Sequence, residues 1–254
     1  MKSVERALDV AVMVVKNGGS TAMADRTLAN ILKGCGQEGV SVVWRLDFVA
    51  ARIEAEGASQ TILRPIETVG LHLVRASAAV ALGEQVADKG AHAVEIDAEI
   101  ARIQSLPSPH SRWMMTLAAA CAGAFFSRTA GGDWGAFGIA CVSACVGQLI
   151  RGVLQARSVA RIGVTMICAL ISGLIATAGL YLGLSQTTPA TLVGSIVYMV
   201  PGVLLINGCI DFMSPRHMSV GIERLQDAAL ILLTLAIGVV LAYMLITGLK
   251  QGAV

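Results

Sequence analysis

The chain has 254 residues, of which 55% are hydrophobic and 14% charged, and its mean hydropathy is +0.71. Soluble domains carry about 25% charged residues, so this composition excludes an ordinary globular protein. The formal net charge of +2 is close to neutral, and no basic stripe with interleaved aromatic residues occurs, which argues against a nucleic-acid partner.

The charged residues are distributed unevenly along the chain. Residues 1–112 hold 12 Lys and Arg and 13 Asp and Glu, whereas residues 113–254 hold the remaining 7 and 4. The first part therefore has the charge of a soluble domain, and the second part is too apolar to fold as one. Glu5, Arg6 and Asp9 interrupt any apolar core of a signal peptide, so we expect the first part to stay in the cytoplasm.

Residues 1–106 predict a small cytoplasmic α+β domain. Ser20 or Thr21 is the expected N-cap of its second helix. Hydrophobic spacing and β-branched residues predict helices over 3–16, 21–34, 68–86 and 92–105, and two or three strands between 39 and 66. Residues 107–112 form a Pro/Ser linker, because prolines stop a helix and favour extended chain.

Five long apolar runs follow the linker and predict a transmembrane domain over 113–254. At about 1.5 Å per residue, a helix of roughly 20 residues spans the hydrocarbon core of a bilayer. The predicted spans are 113–131, 134–150, 159–182, 190–210 and 228–249. The fold class is thus a membrane α-helical bundle of about five transmembrane helices with an N-terminal cytoplasmic α+β domain.

The positive charges between the spans predict the orientation. Six arginines fall on one side of the predicted bundle: Arg112, Arg151, Arg157, Arg161, Arg216 and Arg224. Only Arg128 and Lys250 fall on the other side. The positive-inside rule therefore places the N-terminus in the cytoplasm and the C-terminus in the periplasm of a bacterial inner-membrane protein.

Small residues at four-residue spacing recur in the spans, as in Ala140/Ala144 and Gly173/Thr177. Such pairs let helix backbones approach closely in lipid. They predict a tightly packed bundle and leave open a membrane partner or a higher oligomer.

No residue pattern of an enzyme or a metal site occurs. The six cysteines form no C-x-x-C pair, and the four histidines are far apart, without clustered carboxylates. We expect the cysteines to pack as small apolar residues and the histidines to lie at surfaces or interfaces. The sequence therefore predicts no catalytic residue, no cofactor and no metal.

The fourth apolar run carries the candidate substrate site. Pro201 and Gly202 predict a kink or a broken helix, which frees backbone groups that must face protein or water. Broken helices at the midplane form the substrate site in many transporters. A packing kink is the alternative for Pro201 and Gly202, an interhelical hydrogen bond for Asn207, and a position in headgroup water for Asp211.

The whole pattern resembles the threonine/serine exporter family, and more narrowly its YjjP-type subunit. The resemblance rests on residues 18–36, which match the family's Gly-Ala-x-Thr-x-Arg-x-Glu-x-Thr helix start, and on the Pro201-Gly202…Asn207…Asp211 segment. The family's Arg falls on Met23 here, so no role tied to that Arg is carried over.

This resemblance implies a subunit of a split exporter, driven by the proton gradient, for a threonine/serine-type amino acid or a dicarboxylate such as succinate. It also implies a smaller membrane subunit that supplies the second half of the transporter. The expected substrate-binding residues are Ser195, Tyr198, Pro201, Gly202 and Asn207, with Asp211 as the residue that takes up or releases the coupling proton.

Two other classes of function compete with this one. A membrane-anchored regulatory or signalling protein would use the cytoplasmic domain to bind a ligand. An intramembrane enzyme is the third class, and the spans contain no nucleophile–base pair to support it.

Overall fold

The computed structural model of the chain describes residues 2–37, 39–55, 58–66, 70–90 and 93–251. Thr68 and His92, near two expected helix starts, and residues 252–254, the expected periplasmic C-terminus, lie outside the described residues. Contacts between α-carbons divide the chain into two compact units. One unit is Met1–Pro109 with Gly202–Asp227, and the other is His110–Pro201 with Ala228–Val254.

The first unit contains helices and an antiparallel three-stranded sheet of order β1-β2-β3. Its elements are α1 (Lys2–Lys16), α2 (Thr21–Gly34), β1 (Val40–Trp44), β2 (Phe48–Ala55), β3 (Ala58–Pro65), α3 (Leu73–Lys89), α4 (Ala93–Ser105) and α9 (Gly202–Phe212), with the start of α10 (Met218–Gln251). In the register, Val43 pairs with Ala50, and Ala50 pairs with Leu63.

A single apolar core holds the first unit together. The buried faces of α1, α2 and α3 contribute Leu8, Ile31 and Val86, and β2 adds Val49. Val220 from α10 belongs to the same core and is 2% exposed. The beginning of α10 is therefore packed as part of this unit.

The helix starts follow from local capping. The hydroxyl of Ser20 accepts a hydrogen bond from the backbone N–H of Met23, which confirms Ser20 as a cap of α2. The predicted helix over 68–86 instead begins at Leu73, because Nδ1 of His72 accepts from the N–H of Arg75 and ends the extended chain before it.

The second unit consists of α5 (Arg112–Thr129), α6 (Trp134–Ala156), α7 (Arg161–Tyr181), α8 (Thr188–Ile196), a 3₁₀ turn (Val197–Met199) and the part of α10 from Ala228 onward. Glycines allow close helix contacts here. A Cβ on Gly123 would lie 2.7 Å from the carbonyl oxygen of Gly194, and one on Gly238 would lie 2.6 Å from the Cβ of Ala169. Small residues therefore join α5 to α8 and α7 to α10.

Three helices of the described chain are long and apolar enough to cross a membrane: α6, α7 and α10 over Met218–Gly248. The broken pair Thr188–Met199 and Gly202–Phe212 counts as a fourth if it forms one span. The first apolar run forms the 18-residue helix α5, which contains Arg112 and Arg128 and is not among these candidates. The fold is thus a helical membrane protein with a small sheet.

Candidate functional site

The fourth apolar run is a broken helix, as Pro201 and Gly202 predict. Helix α8 ends at Ile196, the 3₁₀ turn follows, and Val200 is extended with φ −60° and ψ 129°. A residue before proline is driven out of the helical region by the proline ring, and Pro201 has no N–H to continue the ladder. Helix α9 then begins at Gly202.

The six candidate site residues divide between the two units. Ser195, Tyr198 and Pro201 belong to the second unit, and Gly202, Asn207 and Asp211 belong to the first.

Ser195 is fully buried, and its hydroxyl donates to the carbonyl oxygen of Thr191 at 2.7 Å. This hydrogen bond connects Ser195 to the preceding turn of its own helix. The hydroxyl proton therefore already has an acceptor. Ser195 follows Gly194, at which an added Cβ would lie 3.0 Å from the carbonyl oxygen of Gly123 on α5.

Tyr198 lies in the 3₁₀ turn and joins a group of hydroxyls that the sequence did not reveal. The phenol oxygen is 3.1 Å from Oγ of Ser172 on α7, and Ser172 donates to the carbonyl oxygen of Ser143 on α6 at 3.3 Å. Oγ of Ser143 is buried without a hydrogen-bond partner among the described residues. We call Ser143, Ser172 and Tyr198 the hydroxyl cluster.

Gly147 on α6 makes room for this cluster. An added Cβ there would overlap the Tyr198 hydroxyl and lie 2.5 Å from Oγ of Ser172. The signal in the sequence was weak, because a Ser or Gly in a membrane helix is common and only its contacts distinguish it.

Asp211 lies at the end of α9 and is fully buried in the first unit. Its carboxyl oxygens accept from the backbone N–H of Thr21 at 3.3 Å and of Ala22 at 3.4 Å, at the N-terminus of α2. Nη1 of Arg224 on α10 is 3.3 Å from Oδ2 of Asp211, and Arg224 is 3% exposed. A helix N-terminus and a guanidinium thus compensate the charge of this buried carboxylate.

Two further side chains contact the turn that precedes α2. Nδ2 of Asn207 donates to the carbonyl oxygen of Gly18 at 2.9 Å, and Nη1 of Arg224 lies 3.4 Å from that of Gly19. Gly18 has φ +97°, a conformation that glycine adopts without strain. We call residues 18–22 the α2 turn; α9 and α10 hold it through Asn207, Asp211 and Arg224.

The α2 turn and the Pro-Gly…Asn…Asp segment, which the sequence shows as two separate motifs, therefore form one site. Gly221 permits it, because a Cβ at that position would overlap the backbone nitrogen of Phe212 and separate α10 from α9. Sequence reasoning missed Arg224, which it counted only as a charge at the membrane surface. The position of Arg224 shortly before the last apolar run was the available signal.

Two further carboxylates of the same unit, Asp25 and Glu223, each have partners on other elements. Asp25 accepts from Nε1 of Trp44 at 3.1 Å and lies 3.6 Å from Nε2 of His217. His217 is 5% exposed and faces Asp25 on α2, so of the two expected positions, a surface or an interface, it occupies an interface. Glu223 accepts from the N–H of Leu46 at 2.9 Å.

In the second unit, Asp133 links two loops. Its carboxyl oxygens accept from the N–H of Gln186 and the N–H of Ala136, each at 2.7 Å. These backbone donors, that of Gln186 first, hold the pKa of Asp133 below its usual value. Nearby, the guanidinium of Arg128 lies 4.7 Å from the ring centre of Trp134 and donates to the carbonyl oxygen of Gly132.

The described residues contain no group of three His, Cys, Asp or Glu side chains that could hold a metal ion.

Comparisons with known proteins agree with this picture. The sequence profile of the family described as "Putative threonine/serine exporter" (ThrE) matches residues 5–246. The chain is also similar to the "Probable succinate transporter subunit YjjP" of Klebsiella aerogenes, with 24% identity over 262 residues that cover 99% of this chain and 98% of the relative. No solved structure matches the chain.

Proposed function

Because this chain belongs to the threonine/serine exporter family, a family of transporters and not of enzymes, we propose that it is one subunit of a split exporter. The substrate is a small polar metabolite, either a threonine/serine-type amino acid or a dicarboxylate such as succinate. The proton gradient drives its export across the bacterial inner membrane. The relative's name as a succinate transporter subunit favours the dicarboxylate and a separate partner.

The observation that carries this proposal is the broken helix between Ile196 and Gly202 in an otherwise apolar run. At the break a 3₁₀-type bond from the N–H of Val200 to the carbonyl oxygen of Val197 replaces the α-helical pattern, and the hydroxyl cluster lies at this turn. Backbone and hydroxyl groups at membrane depth bind polar substrates in transporters. The proposed substrate-binding residues remain Ser195, Tyr198, Pro201, Gly202 and Asn207, and we add Ser172 and Ser143 from the contacts of Tyr198.

Asp211 is the proposed coupling residue. A proton on its carboxylate would cancel the attraction to Arg224 and weaken the hold on the N–H groups of Thr21 and Ala22. Asn207 and Asp211 both contact the α2 turn, so a change at Asp211 would reach α9, which begins at the break. Proton binding would thereby be coupled to the conformation of the substrate pathway.

The proposed topology has five spans, formed by α5, α6, α7, the broken pair α8–α9, and α10. The N-terminus is cytoplasmic and the C-terminus periplasmic, in agreement with the arginines between spans. An odd number of spans lets a smaller membrane subunit of similar design pack as the inverted second half, which is a recurrent transporter plan.

Transport by proteoliposomes tests this function. Vesicles that contain this chain and its membrane partner should move succinate or threonine when a proton gradient is imposed, and vesicles with either protein alone should not. Tyr198→Phe and Pro201→Ala should lower the rate at normal protein abundance. If neither substitution changes the rate or the apparent affinity, the substrate site lies elsewhere. Full activity of this chain alone would exclude the split exporter.

Binding of a ligand without transport of any tested metabolite would instead support the regulatory or signalling function.

A further inference from the structure

A cavity in the first unit has no role in the proposed transport pathway. Its volume is about 170 Å³, and it lies between β1 with the following Arg45 and the chain from Arg216 to Val220. A volume of this size accommodates a phosphate ion or a small dicarboxylate. Three groups of positive or hydrogen-bond-donating character meet at it.

The first group is the N-terminus of α10. The helix begins at Met218, and its first helical hydrogen bond runs from the N–H of Gly221 to the carbonyl oxygen of His217. The N–H groups of the first turn have no acceptor within a helix, and they carry the positive end of its dipole. Ser219 and Val220 of this turn line the cavity. Such a helix start favours an anion.

The second group is a pair of arginines. Arg45 and Arg216 both line the cavity, whereas their acidic partners Glu223 and Asp25 do not. Nη2 of Arg45 is 2.5 Å from Glu223, and Nη1 of Arg216 is 3.5 Å from Asp25. A guanidinium has five N–H donors, so one carboxylate partner leaves donors for a second anion.

The third group is His217, which lines the cavity although it is 5% exposed. Its Nε2 faces Asp25, but its Nδ1 is buried and has no hydrogen-bond partner within the part of the chain that is described. Buried polar atoms are usually hydrogen-bonded, so this nitrogen has the capacity for one further hydrogen bond. This orphan nitrogen is the observation that distinguishes the cavity from an ordinary helix start.

We propose that this cavity binds a small oxyanion, a phosphate or carboxylate group, between the start of α10 and the two arginines. Arg45 and Arg216 would bind its oxygens through charge-assisted hydrogen bonds, and the first-turn N–H groups of α10 would contact the same group. The source is either a free metabolite or the headgroup of an anionic lipid. His217 also faces Asp25 on α2, the helix whose first N–H groups donate to Asp211. The bound anion would therefore influence the position of α2.

Fluorescence of the full chain in lipid nanodiscs tests this site without a transport measurement. Trp44 lines the cavity, so a background with Trp113→Phe and Trp134→Phe leaves it as the single reporter. Sodium phosphate and succinate are titrated at constant ionic strength in discs of phosphatidylcholine. Discs with added phosphatidylglycerol test the lipid headgroup.

We expect a saturable change in the fluorescence of Trp44. Arg216→Ala and Arg45→Ala should each lower the apparent affinity for the anion by about tenfold, the effect of one lost charge-assisted contact. The control is Arg26→Ala, which removes an exposed arginine of α2 outside the cavity and should leave the curve unchanged. Saturation by phosphate or succinate in neutral discs identifies a free anion. An arginine-dependent change only in phosphatidylglycerol discs identifies the headgroup.

The absence of a saturable change in every arm would overturn the proposal, as would an equal effect of Arg26→Ala. Unfolding temperatures of all variants exclude a loss of the fold. Because the measurement reports binding and not transport, its result tests this site independently of the exporter function.

Discussion

The contact between Asp211 and Arg224 shows what a single residue contributes here. Both side chains are almost completely removed from water, and each meets backbone groups of the α2 turn. Burial of two charges costs free energy that only the partner and its hydrogen bonds offset. Removal of one partner should therefore cost more than loss of an exposed ion pair such as that of Arg102 and Glu99.

We predict that Asp211→Asn lowers the free energy of unfolding by about 3 kcal/mol, because it leaves the guanidinium of Arg224 buried without a counter-charge. Chemical denaturation in mild detergent measures this change. Asp88→Asn is the control, since Asp88 is an exposed carboxylate on α3 of the same unit. The double variant with Arg224→Gln should recover part of the loss. Equal stability of Asp211→Asn and Asp88→Asn would contradict the contact.

Gly147 provides a second prediction at this scale. Gly147→Ala should separate Tyr198 from Ser172 or displace the 3₁₀ turn, because the new methyl group would overlap the phenol oxygen. We expect transport to fall by at least about tenfold and the unfolding temperature to decrease, as is usual for an overpacked site.

Gly152→Ala is the matched control for Gly147→Ala. Gly152 lies on the same helix with no neighbouring atom within 4 Å of an added Cβ. Alanine there should be neutral or slightly stabilising, since it favours a helix by up to about 1 kcal/mol over glycine. Equal effects of the two substitutions would show that Gly147 has no special contact.

At the scale of elements, the loops of the second unit depend on Asp133. This residue caps α6 through Ala136 and also accepts from Gln186, which precedes α8. A hydroxyl completes the connection, since Oγ1 of Thr187 accepts from the N–H of Asp133. One carboxylate therefore joins the α5–α6 loop to the α7–α8 loop.

The lowered pKa of Asp133 predicts a dependence on pH. A carboxyl whose pKa is lower in the folded state stabilises that state fully above its unfolded pKa of about 3.9. The stabilisation is lost as the pH falls through the lower, folded pKa. The protection factors at the amides of Gln186 and Ala136, which compare the observed exchange rate with the intrinsic rate at the same pH, should therefore be high at neutral pH and fall in acid.

Asp133→Asn should remove this acid dependence and give faster exchange already at neutral pH. Asp227→Asn, a carboxylate on α10, serves as the comparison and should leave exchange at Gln186 unchanged. An unaltered pH profile in Asp133→Asn would show that another group controls the two loops.

At the scale of the whole molecule, the five-span topology is open to direct labelling. Single cysteines at Gln155 and Met218 should react only from the cytoplasm, and those at Gly131, Gln186 and Ala253 only from the periplasm. The reason is the excess of arginine at the connections expected in the cytoplasm. Membrane-impermeant maleimide on intact and opened cells, in a cysteine-free background, makes the measurement. Cytoplasmic labelling at Ala253 would exclude five spans.

The sequence by itself determined the features that depend on local pattern. The spacing of apolar residues placed α1 and α2, and Ser20 capped α2 because a cap acts within three residues. Pro201 broke the fourth run, since a proline within a run removes a backbone N–H donor and drives the preceding residue out of the helical conformation. The motifs at residues 18–36 and 201–211 were sufficient for the family, which the profile over residues 5–246 confirms.

Only the tertiary structure decided which of these features meet. Asp211 contacts Thr21 across 190 positions, and Asn207 contacts Gly18 across 189. The partner of Tyr198 is Ser172, one hydroxyl among many in the spans. Local patterns specify how a segment folds, but a hydrogen bond between distant segments depends on packing of whole helices. That is why Asp211, for which a position in headgroup water was the alternative expectation, is a buried partner of Arg224 and of the N-terminus of α2.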